Sequence, residues 1–364
     1  MANDPSTSHG NPSGTGCSKS GGDEASNGSG PRKNSRLTRR RVLALITGAV
    51  AIGGGAWTLR PAPVSESPGW RVAPSLPGAR GEMKATTLDG RIYVPGGLRG
   101  LGRSTNRLDI FDAVTEGWTT ATGMPTGLNH HATATLDGTV YVLGGNADFG
   151  DPPGTYAFAY DPSVDEWRGI SQLPDGRWGH EALAHDGRIF VLGGVPDGDT
   201  DIDTFIYDPV ADGWERASPI PTRREHVAAA SIDDALVVIS GRWDGKNLRA
   251  VEAYDPAADA WESRATLPTP RSGFGAAVVE GAIYVVGGED PSTLGGWTSA
   301  KVERYDPDTD SWEGVSDAPL AVHGHAVVES GGVLYVIGGA WRHGMWSVTA
   351  WSDKTLAFDP GELS

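Results

Sequence analysis

The chain predicts an all-β protein assembled from six copies of one four-stranded antiparallel unit. Composition points there first: 364 residues that are 38% hydrophobic, with 52 glycines and 25 prolines, favour many short strands joined by turns over long helices. An internal repeat points there again. Glycine pairs stand at Gly96-Gly97, Gly144-Gly145, Gly193-Gly194, Gly287-Gly288 and Gly338-Gly339, with a degenerate Ser240-Gly241, and each closes an apolar run such as IYVP, VYVL or IFVL. Spacing held constant over several copies marks one supersecondary unit repeated and stacked.

Each part of the unit has its own signal. Pro77, Pro125, Pro174, Pro221, Pro268 and Pro319 precede the copies at a constant distance from the apolar run. Between the first two strands stand Asp89-Gly90, Asp137-Gly138, Asp186-Gly187 and Glu280-Gly281, the chemistry of a two-residue hairpin with positive φ. The glycine pair ending the second strand allows close approach of a neighbouring backbone. Downstream, Asp112, Asp161, Asp208, Asp255 and Asp306 precede Trp118, Trp167, Trp214, Trp261 and Trp312 at one fixed spacing, which reads as a second tight hairpin between strands three and four.

The apolar strand ending in Gly-Gly, the Tyr-Asp-Pro and the tryptophan after it resemble the kelch repeat over residues 69–360. That resemblance implies a six-bladed β-propeller. The sixth copy stops at Phe358-Asp359-Pro360 without a tryptophan, while Trp70 stands before Pro77 with no Tyr-Asp-Pro ahead of it. The strand around Trp70 is therefore expected to complete the last blade and close the ring without an open edge.

Three segments divide the chain. Residues 1–36 are rich in Gly, Ser and charge and lack large apolar residues, so they are expected to be disordered. Residues 37–60 hold Thr38-Arg39-Arg40-Arg41-Val42-Leu43 before a Gly-diluted apolar run. They resemble a twin-arginine export signal, cleaved or retained as a membrane anchor. Residues 61–364 form the propeller. The N-terminal sixty residues carry an excess of Lys and Arg, so the propeller is more acidic than the overall net charge of −16, which disfavours nucleic acid and anionic membranes as partners. Cys17, the single cysteine, lies in the tail and excludes an intrachain disulfide framework.

In a four-stranded blade the two tight hairpins share one face of the ring, and the remaining connections share the other. The loop face holds the candidate site. Arg80, Arg177, Arg224 and Arg271 follow their prolines at one position; in kelch propellers this place commonly faces the ligand, and a guanidinium suits a carboxylate or phosphate. His131, His180 and His325 hold a consensus position and are expected to pack or hydrogen-bond. His130, His226 and His323, with Glu82, Glu225 and Trp178, fall at the channel entrance, where a metal or acid/base site could form. Trp178, Trp243, Trp297, Trp341, Trp346 and Trp351 also belong to the loop face, three of them in an insert of the last copy beside Arg342 and His343. Asp197, Asp199, Asp201 and Asp203 alternate in the third copy as a loose calcium candidate; Ile202 stands where an EF-hand needs Gly. No cofactor is otherwise expected.

These features read as an exported or membrane-tethered propeller, monomeric, that binds a protein or glycan through its Arg- and Trp-rich loop face. A periplasmic sialic-acid mutarotase is similar in architecture, size and export. It implies an alternative in which Arg80, Glu82, Arg177, Arg224, Glu225 and Arg271 serve acid/base chemistry on a sugar. Copper radical oxidation, known in the same superfamily, needs a Tyr-Cys crosslink and is excluded by the lack of a cysteine in the propeller.

Overall fold

A computed structural model describes residues 64–198, 202–291 and 296–363. The N-terminal tail and residues 37–60, read above as resembling an export signal, lie outside them, as do Asp199 and Asp201. Six four-stranded antiparallel sheets follow one another along the chain. Blade I comprises Thr86–Leu88, Arg91–Pro95, Leu108–Asp112 and Gly117–Ala121. Blade II comprises Ala132–Leu136, Thr139–Leu143, Ala157–Asp161 and Glu166–Gly169. Blade III has two long inner strands, Arg177–His185 and Arg188–Pro196, then Thr204–Asp208 and Gly213–Ala217. Blades IV and V begin at Ala228–Ile232 and Gly275–Val279 and end at Ala260–Ser263 and Ser311–Gly314.

Blade VI confirms the expected closure. Ala326–Ser330, Val333–Ile337 and Thr355–Phe358 receive their fourth strand from Trp70–Ala73, in the register Trp70 to Phe358 and Ala73 to Thr355. Joining the chain ends within one sheet removes the free edge that an open array would expose.

The repeated residues turn out to be staples between blades. Every blade tryptophan donates its indole N–H to a carbonyl of the connection before it: Trp118 to Pro74, Trp167 to Thr122, Trp214 to Ser171, Trp261 to Ser218, Trp312 to Ala265 and Trp70 to Ser316, at 2.8–3.2 Å. The turns behave as their sequence predicts, with Asp89, Asp137, Asp186 and Glu280 at φ of 46–50°. The glycine pairs answer a packing demand, since a Cβ on Gly144 would lie 2.5 Å from His180 Cε1 and 2.6 Å from the Arg177 carbonyl. His180 and His325 themselves donate Nε2–H to the Leu143 and Val286 carbonyls of the preceding blade at 3.1 Å. Between these polar staples the core is continuous from blade to blade, as where Tyr141 and Leu143 meet Ile189, Val191 and Phe205.

Candidate functional site at the closed end of the channel

Glu82, His130, Gly179, His226, Gly273 and Gly324 occupy one place in successive blades, where the connection into each blade crosses the mouth of the channel. All six adopt φ of 50–67°. That conformation turns each amide toward the blade before it. The result is a closed ring of backbone hydrogen bonds: His130 N–H to Glu82 O at 2.9 Å, Gly179 to His130 at 2.9 Å, His226 to Gly179 at 2.8 Å, Gly273 to His226 at 3.0 Å, Gly324 to Gly273 at 2.7 Å and Glu82 to Gly324 at 2.6 Å. Glycine suits such φ without cost. Glu82, His130 and His226 hold it against an L-residue penalty of about 1–2 kcal/mol each.

These three side chains converge. Glu82 Oε2 lies 3.2 Å from His130 Nε2 and 4.0 Å from His226 Nε2, and its Oε1 lies 3.7 Å from His323 Nδ1. Trp178 stands edge-on to both His130 and His226, with ring centroids 5.2 and 5.3 Å away. The outer nitrogens are also held. His130 Nδ1 meets Asn129 Oδ1, His226 Nδ1 meets Glu225 Oε2, and His323 Nε2 donates to the Arg342 carbonyl at 2.8 Å. Burial pushes the His130 and His226 imidazoles below their usual range, so both are neutral near pH 7.

Arg242 ties this cluster together and was not anticipated. Its Nε donates to Glu225 Oε1 at 2.7 Å and its Nη1 to Glu289 Oε1 at 2.8 Å, while Nη2 lies 3.2–3.3 Å from the His226 ring nitrogens. Burial opposes ionisation of Glu289, yet His323, Arg242 and the Gly344 N–H hold its carboxyl below the ordinary value. A sequence signal existed. The residue after each glycine pair bridges the residue beside the ring at one fixed spacing, as Glu225 with Arg242, Ser272 with Glu289 and Asn129 with Asn146.

The four arginines do not reach this site. Arg80, Arg177, Arg224 and Arg271 are 0–2% exposed and turn into their own blades. Arg80 pairs with Asp109 at 2.8 Å, Arg224 with Glu252 and Arg271 with Glu303. Arg177 instead donates to the Asp203 carbonyl at 2.6 Å and lies over the Phe205 ring at 4.2 Å. Burial lowers Arg177, Arg224 and Arg271 to about 10, which leaves them charged at neutral pH. Their expected role toward a ligand gives way to a scaffold role, because the inward position buries the guanidinium against the third strand, beside an acid in three blades and over Phe205 in the fourth. A matching signal was present: Asp109, Phe205, Glu252 and Glu303 share one third-strand place, and the blades with Leu128 and Val322 lack the pair.

The loop-face tryptophans divide. Trp346 is 46% exposed and, with Arg342 and His343, lines an open groove of about 360 Å³. Trp178, Trp243, Trp297, Trp341 and Trp351 are half-buried. Trp351 seals the seam beside Gly81 and donates to the Gly100 carbonyl at 2.8 Å. Trp243 packs under Arg223, and Trp341 under Arg342. Asp203 is engaged by Arg216, and two of the four calcium candidates, Asp199 and Asp201, lie outside the described residues.

Four-stranded blades, indole staples and a ring closed by the N-terminal strand define a kelch-type β-propeller. Residues 179–363 match the family model "KLHDC2/KLHL20/DRC7 Kelch-repeats domain", and residues 79–125 and 127–174 match the Kelch motif. The chain belongs to the kelch-repeat family. Kelch-like protein 35 of Mus musculus is 44% identical over 61 residues, which are 17% of this chain. The match spans about a tenth of that relative, 10% of its length. The solved "Structure of YjhT" superposes with a TM-score of 0.67 at 18% identity, over 78% of this chain and 96% of that one. That likeness concerns the fold.

Proposed function

We propose that this propeller is exported, or tethered to a membrane by residues 37–60, and binds a protein partner through the loop face around Trp346. Kelch propellers generally act as protein-binding modules, and one observation directs that role to a place. Among the described residues Trp346 is the one exposed aromatic, and it stands with Arg342 and His343 at an open groove. Exposed Trp and Arg are the residue types that dominate interface energetics. The cavity enclosed near the ring is about 30 Å³, room for one or two waters and not for a sugar ring; the wider channel lined by Lys84, Thr135 and Glu181 holds about 360 Å³.

Photo-crosslinking from position 346 in the native host, with position 210 on a hairpin as control, tests the reading. A defined protein adduct from 346 alone supports it; equal adducts from both positions overturn it. The sugar-modifying alternative draws on the contact of Glu225 with His226 and is tested by mutarotation rates with Glu225→Gln. Export is tested separately by Arg39→Lys with Arg40→Lys, which should retain the protein in the cytoplasm.

A further inference from the structure

We infer that Glu82, His130 and His226 form a binding site for a single divalent first-row transition ion of the zinc type. The inference stands apart from partner binding at Trp346 and rests on the ring. The ligand-capable atoms of these three residues lie within 4.8 Å of one another. Ligands around zinc at about 2.1 Å in a tetrahedron are about 3.4 Å apart. Glu82 Oε2 and His130 Nε2 are at that separation already, and His226 Nε2 needs only a small inward shift.

The surroundings are those of an oriented metal ligand set. Both histidines direct Nε2 toward Glu82, with Nδ1 held by Asn129 and by Glu225, and fixing that nitrogen on an oxygen is how second partners orient imidazole ligands; Arg242 Nη2, 3.2 Å from His226 Nε2, turns away when the ion binds. A fourth donor stands ready. His323 is 2% exposed and its Nδ1, 3.7 Å from Glu82 Oε1, has no hydrogen-bond partner among the described residues. Imidazole donors select zinc-like ions over calcium or magnesium, which take oxygen ligands. Glu82, Glu225 and Glu289 outnumber Arg242 and Lys84 around the cluster, so a dication is compatible with the local charge.

The distribution of residues around the ring supports the same conclusion. Blades III, V and VI use glycine there, and each glycine leaves clearance for a side chain of the cluster. A Cβ on Gly324 would lie 2.7 Å from Glu82 Oε1, one on Gly179 3.3 Å from His226 Nδ1, and one on Gly273 3.5 Å from His323 Nδ1. Blades I, II and IV place Glu, His and His at the same backbone conformation despite its cost. The adjoining 30 Å³ cavity, lined by Glu82, His130 and His226, suits an ion with a water and nothing larger.

The test uses the full chain, stripped by a chelator and titrated with Zn(II) by calorimetry, then with Co(II) for its visible spectrum. One ion per chain is expected, with Co(II) bands of a nitrogen- and oxygen-ligated site. Affinity should fall at least tenfold in Glu82→Gln and vanish in His130→Gly with His226→Gly, while His343→Ala is unchanged. Glycine already fills this place in three blades, so the double variant should fold. Should it unfold, Glu82→Gln, which preserves shape, decides alone. The inference is overturned by absence of saturable uptake, by undiminished affinity in Glu82→Gln, or by uptake surviving in the folded double variant, which would assign the ion elsewhere, for example to His9 and Cys17 of the tail.

Discussion

Two sets of polar side chains lie almost side by side in this propeller and do opposite things. Arg80, Arg177, Arg224 and Arg271 recur in four blades, point into them and are buried there, three of them against a carboxylate. Glu82 and His226 follow two residues later in two of the same connections, and His130 holds the same place after Leu128; all three occupy a backbone conformation that costs energy and face one another across the channel. Each member of the first set meets one third-strand place of its own blade, a carboxylate in three and the Phe205 ring in the fourth, so each pair is local and independent. The second has meaning only as a whole, because its members meet across blades. Repetition in a propeller marks scaffold; departure from repetition at a strained position marks a site.

The largest expected effect breaks the scaffold set. Arg271→Met leaves Glu303 buried without its cation, although Thr269 still donates to that carboxylate at 3.0 Å. Removing one partner of a buried pair costs about 3–5 kcal/mol, and the retained hydrogen bond argues for about 3. Adding Glu303→Leu should recover most of the loss, since an apolar pair of similar volume avoids the desolvation penalty. Equilibrium unfolding in guanidinium chloride measures both. A single variant within 0.5 kcal/mol of wild type, by about the scatter of surface substitutions, would remove the arginines from the scaffold.

A smaller effect separates the sets by pH. Burial alone would raise the Asp109 carboxyl, but hydrogen bonds and charge from Arg107 and Arg80, with Thr120, hold it below its ordinary value. A carboxyl lowered by folding stabilises the protein fully above its unfolded pKa. That contribution is lost as pH falls through the folded value, which places the loss below about pH 4. Thermal unfolding should therefore steepen its decline in that range, and Asp109→Asn should flatten it while lowering stability at neutral pH. A wild-type slope retained in Asp109→Asn would show that other carboxylates govern acid unfolding.

How far the sequence reached follows the same division. Blade count, hairpins, indole spacing and the closing strand at Trp70 were legible because each depends on local spacing. The buried pairs were legible too, in the third-strand places of Asp109, Glu252 and Glu303, but were obscured by reading the arginines outward. His130, His226 and Glu82 were recognisable as departures, whereas their convergence depends on the ring radius and on the glycines opposite them. Arg242 is barely legible in the sequence because it follows the one degenerate pair, Ser240-Gly241, where the repeat is weakest.

The smallest expected effect falls on the second set. His130→Gly relieves a left-handed φ of 52°, a gain of about 1 kcal/mol. Against it stand the added backbone entropy of glycine in the unfolded chain, about 0.5–1 kcal/mol, and the lost edge contacts with Trp178 and His226. The ring hydrogen bonds use backbone atoms and survive the change. Stability of the metal-free chain should thus move by no more than about 1 kcal/mol in either direction, in contrast to Arg271→Met. A loss as large as that of the arginine variant would place His130 among the staples, and the distinction between the two sets would fall.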